Sequence, residues 1–217
     1  MKRNVFILLS LFAGQVAMAQ KNVCRIVADL DEIGDTLIAL VGENKYTFEA
    51  KEDGTFDMAI PVSKVTNITV MTPGTLAGTQ RLFFPLIAVP GEKAVVDGNL
   101  TERFDITGSK FYKKYHDVDI FVEKAQLPLI TTAREVNEQI ESGKLKFEEA
   151  MPEFEKTMAN LQATFNEELL NFVKNHSKEE TSVPVILQIT DPAIRQQALD
   201  ALSQKVRNGR MKSLLSE

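Results

Sequence analysis

The chain has no tryptophan, one cysteine and two histidines in 217 residues. A single cysteine excludes an internal disulfide, a Cys-x-x-Cys redox pair and a multi-thiolate zinc site. Cys24 alternates with Ile26, Ala28 and Leu30, so it falls on the apolar side of a strand as a small core residue. An intermolecular disulfide is its alternative use. His116 shares a helix face with Asp119, which is half a metal site at most, and His176 sits in a helix-ending loop without a partner nearby in sequence.

Catalytic motifs are missing too. There is no Gly-x-Ser-x-Gly elbow, no His-Glu-x-x-His helix and no Gly-x-Gly-x-x-Gly loop. Glu148-Glu149, Glu167-Glu168 and Glu179-Glu180 are neighbours along helices and do not face each other, so they read as solvated charge rather than an acid/base dyad. No catalytic, cofactor-binding or metal-ligating residue is assigned, and no cofactor is expected. The net charge is -5, and the isolated pair Lys113-Lys114 has Asp117 one turn beyond it, so no basic stripe suggests nucleic acid as a partner. Asn67-Ile68-Thr69, Asn99-Leu100-Thr101 and Asn175-His176-Ser177 match the short N-glycosylation pattern.

What is present begins with a leader. Lys2 and Arg3 precede a short apolar run from Val5 to Phe12, and Ala17-Met18-Ala19 supplies small residues for cleavage between Ala19 and Gln20. The run is too short to span a bilayer, and no later segment forms a transmembrane helix. A signal peptide over 1–19 and an exported, periplasmic chain are expected. Lys21-Asn22-Val23 precedes Cys24 where a lipobox needs small residues, so lipidation there is rejected.

From residue 20 to 107, short apolar runs recur between turn residues at the spacing of antiparallel strands. Asn22–Leu30 and Thr36–Val41 are the first two, followed by the turn Gly42-Glu43-Asn44. Tyr46, Phe48 and Ala50 and then Phe56, Met58 and Ile60 alternate around Asp53-Gly54, which predicts a hairpin. Pro61 should end pairing or mark an edge. Val65–Met71 is a further strand, and Thr72–Thr79 reads as a mobile connection. A hydrolase built on that loop would lack nucleophile–base spacing. Leu82–Val89 reads as a strand buried on both faces, Pro90-Gly91 and Asp97-Gly98 as turns, and Arg103–Ile106 as the last strand.

From residue 108 to 217 the apolar period becomes helical. Ser109 is the expected N-cap of a helix carrying Phe111, Tyr115, Val118, Val122 and Ala125, ended by Pro128. Ala133, Val136 and Ile140 suggest a second, shorter helix stopped at Ser142-Gly143. Phe147, Met151, Phe154, Met158, Leu161, Phe165, Leu169 and Phe172 form a heptad-like stripe, with Pro152 near its first turn. Large aromatic residues favour packing of this stripe within the chain over a dimer seam. Val183–Ile189 is a short helix, Asp191-Pro192 starts another that ends at Asn208-Gly209, and Met211–Leu215 is an uncapped tail. The expected fold class is α+β: an N-terminal antiparallel β-sandwich or barrel of about eight strands followed by a C-terminal helical bundle.

Several of these segments, in this order, carry a resemblance. They are the leader ending in Ala19-Gln20, Asp53-Gly54-Thr55-Phe56, the apolar strand running into Val89-Pro90-Gly91, Thr107-Gly108-Ser109 with Tyr112 and Tyr115, and Asn171-Phe172-Val173-Lys174-Asn175. Together the chain resembles the domain of unknown function that precedes the thioredoxin-like domain in exported thiol–disulfide oxidoreductases of anaerobic Gram-negative bacteria. In that family the redox domain carries a Trp-Cys-x-x-Cys pair. This chain has neither tryptophan nor a second cysteine, so the resemblance implies the accessory portion alone and carries over no catalytic residue. The expectation is a non-enzymatic binding or assembly module whose partner is another exported protein or a second copy of itself. The alternative is a truncated fragment of a complete oxidoreductase, suggested by the lack of a closing element before Glu217.

Overall fold

The computed structural model describes residues 22–215; the expected leader, with its expected cleavage point between Ala19 and Gln20, lies outside the described residues. The architecture is α+β: eight strands in two four-stranded sheets, then helices. The strands are β1 (Val23–Asp31), β2 (Thr36–Val41), β3 (Asn44–Glu49), β4 (Phe56–Pro61), β5 (Thr66–Met71), β6 (Phe83–Ala88), β7 (Lys93–Asn99) and β8 (Phe104–Gly108). One sheet has the order β4-β1-β7-β8 and the other β3-β2-β5-β6.

Alternation places the core. Cys24, Ile26 and Ala28 on β1, Phe56, Met58 and Ile60 on β4, and Ala94 and Val96 on β7 are all fully buried, as are Leu37, Val70 and Phe84 from the other sheet. The Phe84 and Phe104 rings meet between the two sheets with centroids 6.0 Å apart. This is the sandwich arrangement, in which two inner faces share one apolar layer.

The pairing departs from the sequence reading in several places. The strands around Asp53-Gly54 are not a hairpin: β3 pairs with β2, and β4 pairs with β1 in the other sheet. The turn itself is tight, with Lys51 N–H donating to Thr55 C=O and Asp53 Oδ1 accepting from both the amide and the hydroxyl of Thr55. Local turn chemistry fixes the reversal but not the sheet that each strand enters. The true two-residue hairpin is Gly42-Glu43, between Val41 and Asn44, with Gly42 at φ 58.

The set is also not wholly antiparallel. β1 and β7 pair in parallel, from Arg25 opposite Lys93 to Asp31 opposite Asn99. The long route from β2 to β6 supplies the crossover that a parallel pair requires. Asp97-Gly98 lies inside β7 rather than at a turn, and the reversal comes at Asn99–Arg103. β6 is an edge strand, with Phe83 exposed and Pro85 opposite Thr69, so it is not buried on both faces. An edge is where a residue without an N–H is tolerated. β4, ending at Pro61, is likewise an edge.

The connection Thr72–Thr79 is a hydrogen-bonded knot rather than a loose loop. It contains the short helix α1 (Pro73–Leu76), and Thr72 Oγ1 accepts from the Thr75 amide. The Thr75 hydroxyl donates to Leu82 C=O at 2.9 Å and accepts from Leu82 N–H at 2.8 Å.

The helices are α2 (Phe111–Glu141), α3 (Phe147–Asn175), α4 (Ser182–Gln188), α5 (Pro192–Ala201), α6 (Gln204–Arg207) and α7 (Lys212–Leu215). α2 runs through Pro128, so the two helices expected there are one. Proline removes one intrahelical bond but does not always end a helix. Gly143, at φ 70, follows α2, and Lys144 N–H returns to Gln139 C=O. α3 likewise begins at Phe147 and contains Pro152 rather than starting at it. Asp191 caps α5 as expected, accepting from Ala193 and Ile194 amides at 2.8 and 2.9 Å. α5 stops at Ala201, and Ser203 caps a separate turn, α6.

The described chain divides into two compact units, 22–116 and 117–215. The division falls inside α2, later than the change of period at residue 108. In the second unit, Phe165, Leu169, Leu170 and Val173 of α3 are buried, α4 and α5 pack against that helix, and Phe172 stacks on Phe121 of α2 at 4.7 Å. Met211 and Leu214 are fully buried, and Arg210 Nε donates to Glu180 Oε2 at 2.7 Å, so the expected tail is part of the packed unit.

Two tests follow from the β-unit. Gly108 has φ 140, and a Cβ there would run into the Lys93 carbonyl, whereas the space around Gly143 is open. Gly108→Ala is expected to destabilise by about 2–5 kcal/mol in urea melts, and Gly143→Ala by about 1 kcal/mol. On the outer face of the first sheet, Arg25 Nε donates to Asp57 Oδ1 at 2.6 Å and Lys51 Nζ lies 3.2 Å from Oδ2. The Arg25 guanidinium, first, holds the Asp57 carboxyl well below the usual carboxylate range. A folded-state pKa below the unfolded value means stability present above about pH 4 and lost as pH falls through the depressed value. Asp57→Asn should lower the melting temperature at pH 7 and converge with the parent in strong acid.

Candidate functional site: the buried Cys24–Tyr112 junction

A buried hydroxyl joins the two sheets of the β-unit to the helix that follows. Tyr112, in the first turn of α2, is fully buried. Its oxygen donates to Ile87 C=O at 2.7 Å, accepts from Val89 N–H at 3.3 Å and lies 3.3 Å from Cys24 Sγ. A phenol has one proton, and the short contact assigns it to the carbonyl of Ile87. The Cys24 thiol is then the donor to the phenol oxygen, whose capacity is filled. One atom thus joins β1, the end of β6 and α2, and so both sheets and the helix.

The helix start is held by a residue that the sequence reading did not single out. Glu92, 4% exposed, accepts from the Phe111 amide through Oε2 at 2.8 Å. A carboxylate at a helix N-terminus satisfies an orphan donor and suits the dipole. Ser109, the expected cap, instead accepts from Lys93 N–H at 2.9 Å and stays with the β7–β8 ladder. Gly91 at φ 76 turns the chain so that its amide reaches Val23 C=O and Arg25 N–H reaches Glu92 C=O. Phe111 packs edge-on to Tyr112 and stacks on Tyr115, both at 5.4 Å. The only early hint of Glu92 was its place directly after Pro90-Gly91; a carboxylate acting nineteen positions downstream has no local signature.

The chemistry of this junction is that of a sealed tie. Burial pushes the Cys24 thiol up, only partly offset by its hydrogen bond to Tyr112. Burial, then the neighbouring Cys24, pushes the Tyr112 hydroxyl far above its ordinary value. Nucleophilic attack and metal ligation need the thiolate, and this site disfavours it.

The other residues considered from sequence do not join it. His176 does have partners: its ring stacks on Phe172 at 4.3 Å and its Nδ1 lies 3.3 Å from Glu179 Oε1. Glu180 pairs with Arg210, so Glu179-Glu180 is engaged rather than merely solvated. Glu148, Glu149, Glu167 and Glu168 are exposed. Asn99, from one glycosylation-type triplet, folds its side chain onto Thr101, accepting from the amide at 2.8 Å. Sequence reasoning missed Asn166, 3% exposed on α3, whose Oδ1 accepts from Thr190 N–H at 3.0 Å. Among the described residues no group of three or more His, Cys, Asp or Glu is placed to hold a metal ion, and no helix is long and apolar enough to cross a membrane.

Tyr112→Phe leaves the Ile87 carbonyl, the Val89 amide and the thiol without that partner, and should destabilise by about 1–3 kcal/mol in denaturant titration. Cys24→Ala keeps the tyrosine's two backbone bonds and should cost less, about 1 kcal/mol. In the parent protein, Cys24 should react with a thiol reagent only as the chain unfolds. No protein-family model, curated protein or solved structure matches this chain.

Proposed function

We propose that the chain is an exported, non-enzymatic binding or assembly module, similar in role to the accessory region that precedes the redox domain of thiol–disulfide oxidoreductases. The observation that carries the reading is the state of its only thiol. Cys24 is fully buried, protonated and committed to a hydroxyl that itself holds two sheets and a helix. Thiol–disulfide exchange needs an accessible thiolate and a second sulfur to resolve the mixed disulfide. A residue so placed serves packing.

Further support comes from where the resemblance lies. Val89-Pro90-Gly91, Ser109, Tyr112 and Tyr115 carry the resemblance, and they cluster about the Tyr112 tie and the Glu92 cap. The leader at 1–19 supports export, and the absence of a basic stripe argues against nucleic acid as the partner.

The purified chain is expected to give no turnover in dithiothreitol-driven insulin reduction, with Cys24→Ala indistinguishable from the parent. Turnover that Cys24→Ala abolishes would refute the non-enzymatic reading. A fusion of residues 1–40 to a reporter active only outside the cytoplasm should be active, and replacing Lys2 and Arg3 by glutamate should reduce that activity.

A further inference from the structure

We propose that α2 carries a self-complementary seam and that a second copy of this chain docks on it, antiparallel, through Glu123, Leu127, Ile130 and Arg134. Leu127 and Ile130 are 57% and 52% exposed, among the most exposed large apolar side chains of the described residues. They are not the inward face of the helix. Val118 and Leu129 are buried and Phe121 stacks on Phe172, and those positions lie on roughly the other side at 100° per residue. Glu123, Leu127, Ile130 and Arg134 fall within about 60° of one another around the axis, so α2 has a second, narrow apolar stripe with a charge at each end.

The order within the stripe names the occupant. The spacings are four, three and four residues, which read the same in both directions. Laid against a second α2 in antiparallel sense, Leu127 faces Ile130 of the second copy and Glu123 faces Arg134 of the second copy. The two-fold axis repeats both contacts, giving an apolar centre closed at each end by an opposite-charge pair. That is the isologous form that homodimers take. A parallel arrangement would instead put glutamate against glutamate and arginine against arginine. Arg134 is 66% exposed with its own Glu138 at 4.0 Å, and Glu123 also has an interaction within the chain, so each charge exchanges an existing contact for the one facing it across the axis.

The seam is about 16 Å long on each helix, which puts it among the small interfaces of transient complexes. Association in the micromolar range is therefore expected. The α3 stripe, read from sequence as packing within the chain rather than as a dimer seam, buries Phe165 and Leu169, so it does not compete for this role. Self-association through α2 holds whether or not the chain is exported or redox-inactive, so the two readings fail separately.

Sedimentation equilibrium of the purified full chain should show a monomer–dimer equilibrium that weakens in about 1 M salt. The double change Leu127→Glu with Ile130→Glu should leave a folded monomer, since both side chains are outside the core. Glu123→Arg alone and Arg134→Glu alone should each raise the dimer Kd by about tenfold or more. Combining the two should restore it to within about threefold of the parent, because each swapped charge again meets its opposite across the axis. A chain that stays monomeric up to about 1 mM, a dimer that survives the Leu127/Ile130 change, or charge swaps that fail to rescue each other would overturn the proposal.

Discussion

The β-unit depends on the single proton and two lone pairs of the Tyr112 hydroxyl. Its three partners come from β1, the end of β6 and the residue just beyond it, which belong to different sheets. A sandwich is held mostly by apolar burial, which is strong but indifferent to small slides of one layer over the other. A buried hydroxyl with every bond made is the opposite kind of constraint: modest in net energy, and costly when any partner moves. It therefore sets the register of sheet on sheet and the point where α2 leaves the β-unit. Glu92 completes the constraint by holding the first amide of that helix from the turn after β6.

This arrangement also explains how the lone cysteine is used. An accessible thiolate is open to oxidation and exchange. Burial on the inner face of β1 and donation to Tyr112 remove both accessibility and charge. Asp57 is strongly held as a carboxylate, but its partners Arg25 and Lys51 are exposed side chains that lock β1 to β4 on the outer face.

Much of the fold was legible because it is written at short range. The alternation of Cys24, Ile26 and Ala28 predicts an inner strand face, and the structure buries all three completely. Asp191-Pro192 predicts a helix start, and the carboxylate caps it. What was not legible depends on partners far along the chain. Asp53-Gly54 dictates a reversal, but not that β3 and β4 enter different sheets. Asp97-Gly98 resembles a turn, yet Gly98 sits in β7, where a Cβ would lie 2.6 Å from the Arg103 carbonyl oxygen. Ser109 has cap chemistry, and Glu92 took the role because the fold brought its carboxylate nearer. Pro128 misled for the converse reason: the loss of one backbone bond was outweighed by the apolar faces on either side. The junction itself was half legible: Val89 and Tyr112 lie in segments that carry the resemblance, whereas Glu92 has no local signature.

The Val89 amide reports on this account most directly. It lies just beyond β6 and donates to the Tyr112 hydroxyl, so its protection reports on that bond. Native-state hydrogen exchange should place it in the slowest class, exchanging only with global unfolding of the β-unit, alongside amides of the central strand β1. Exchange of Val89 at the faster rate of neighbouring loop amides, while β1 stays protected, would mean that the hydroxyl does not hold the sheets together.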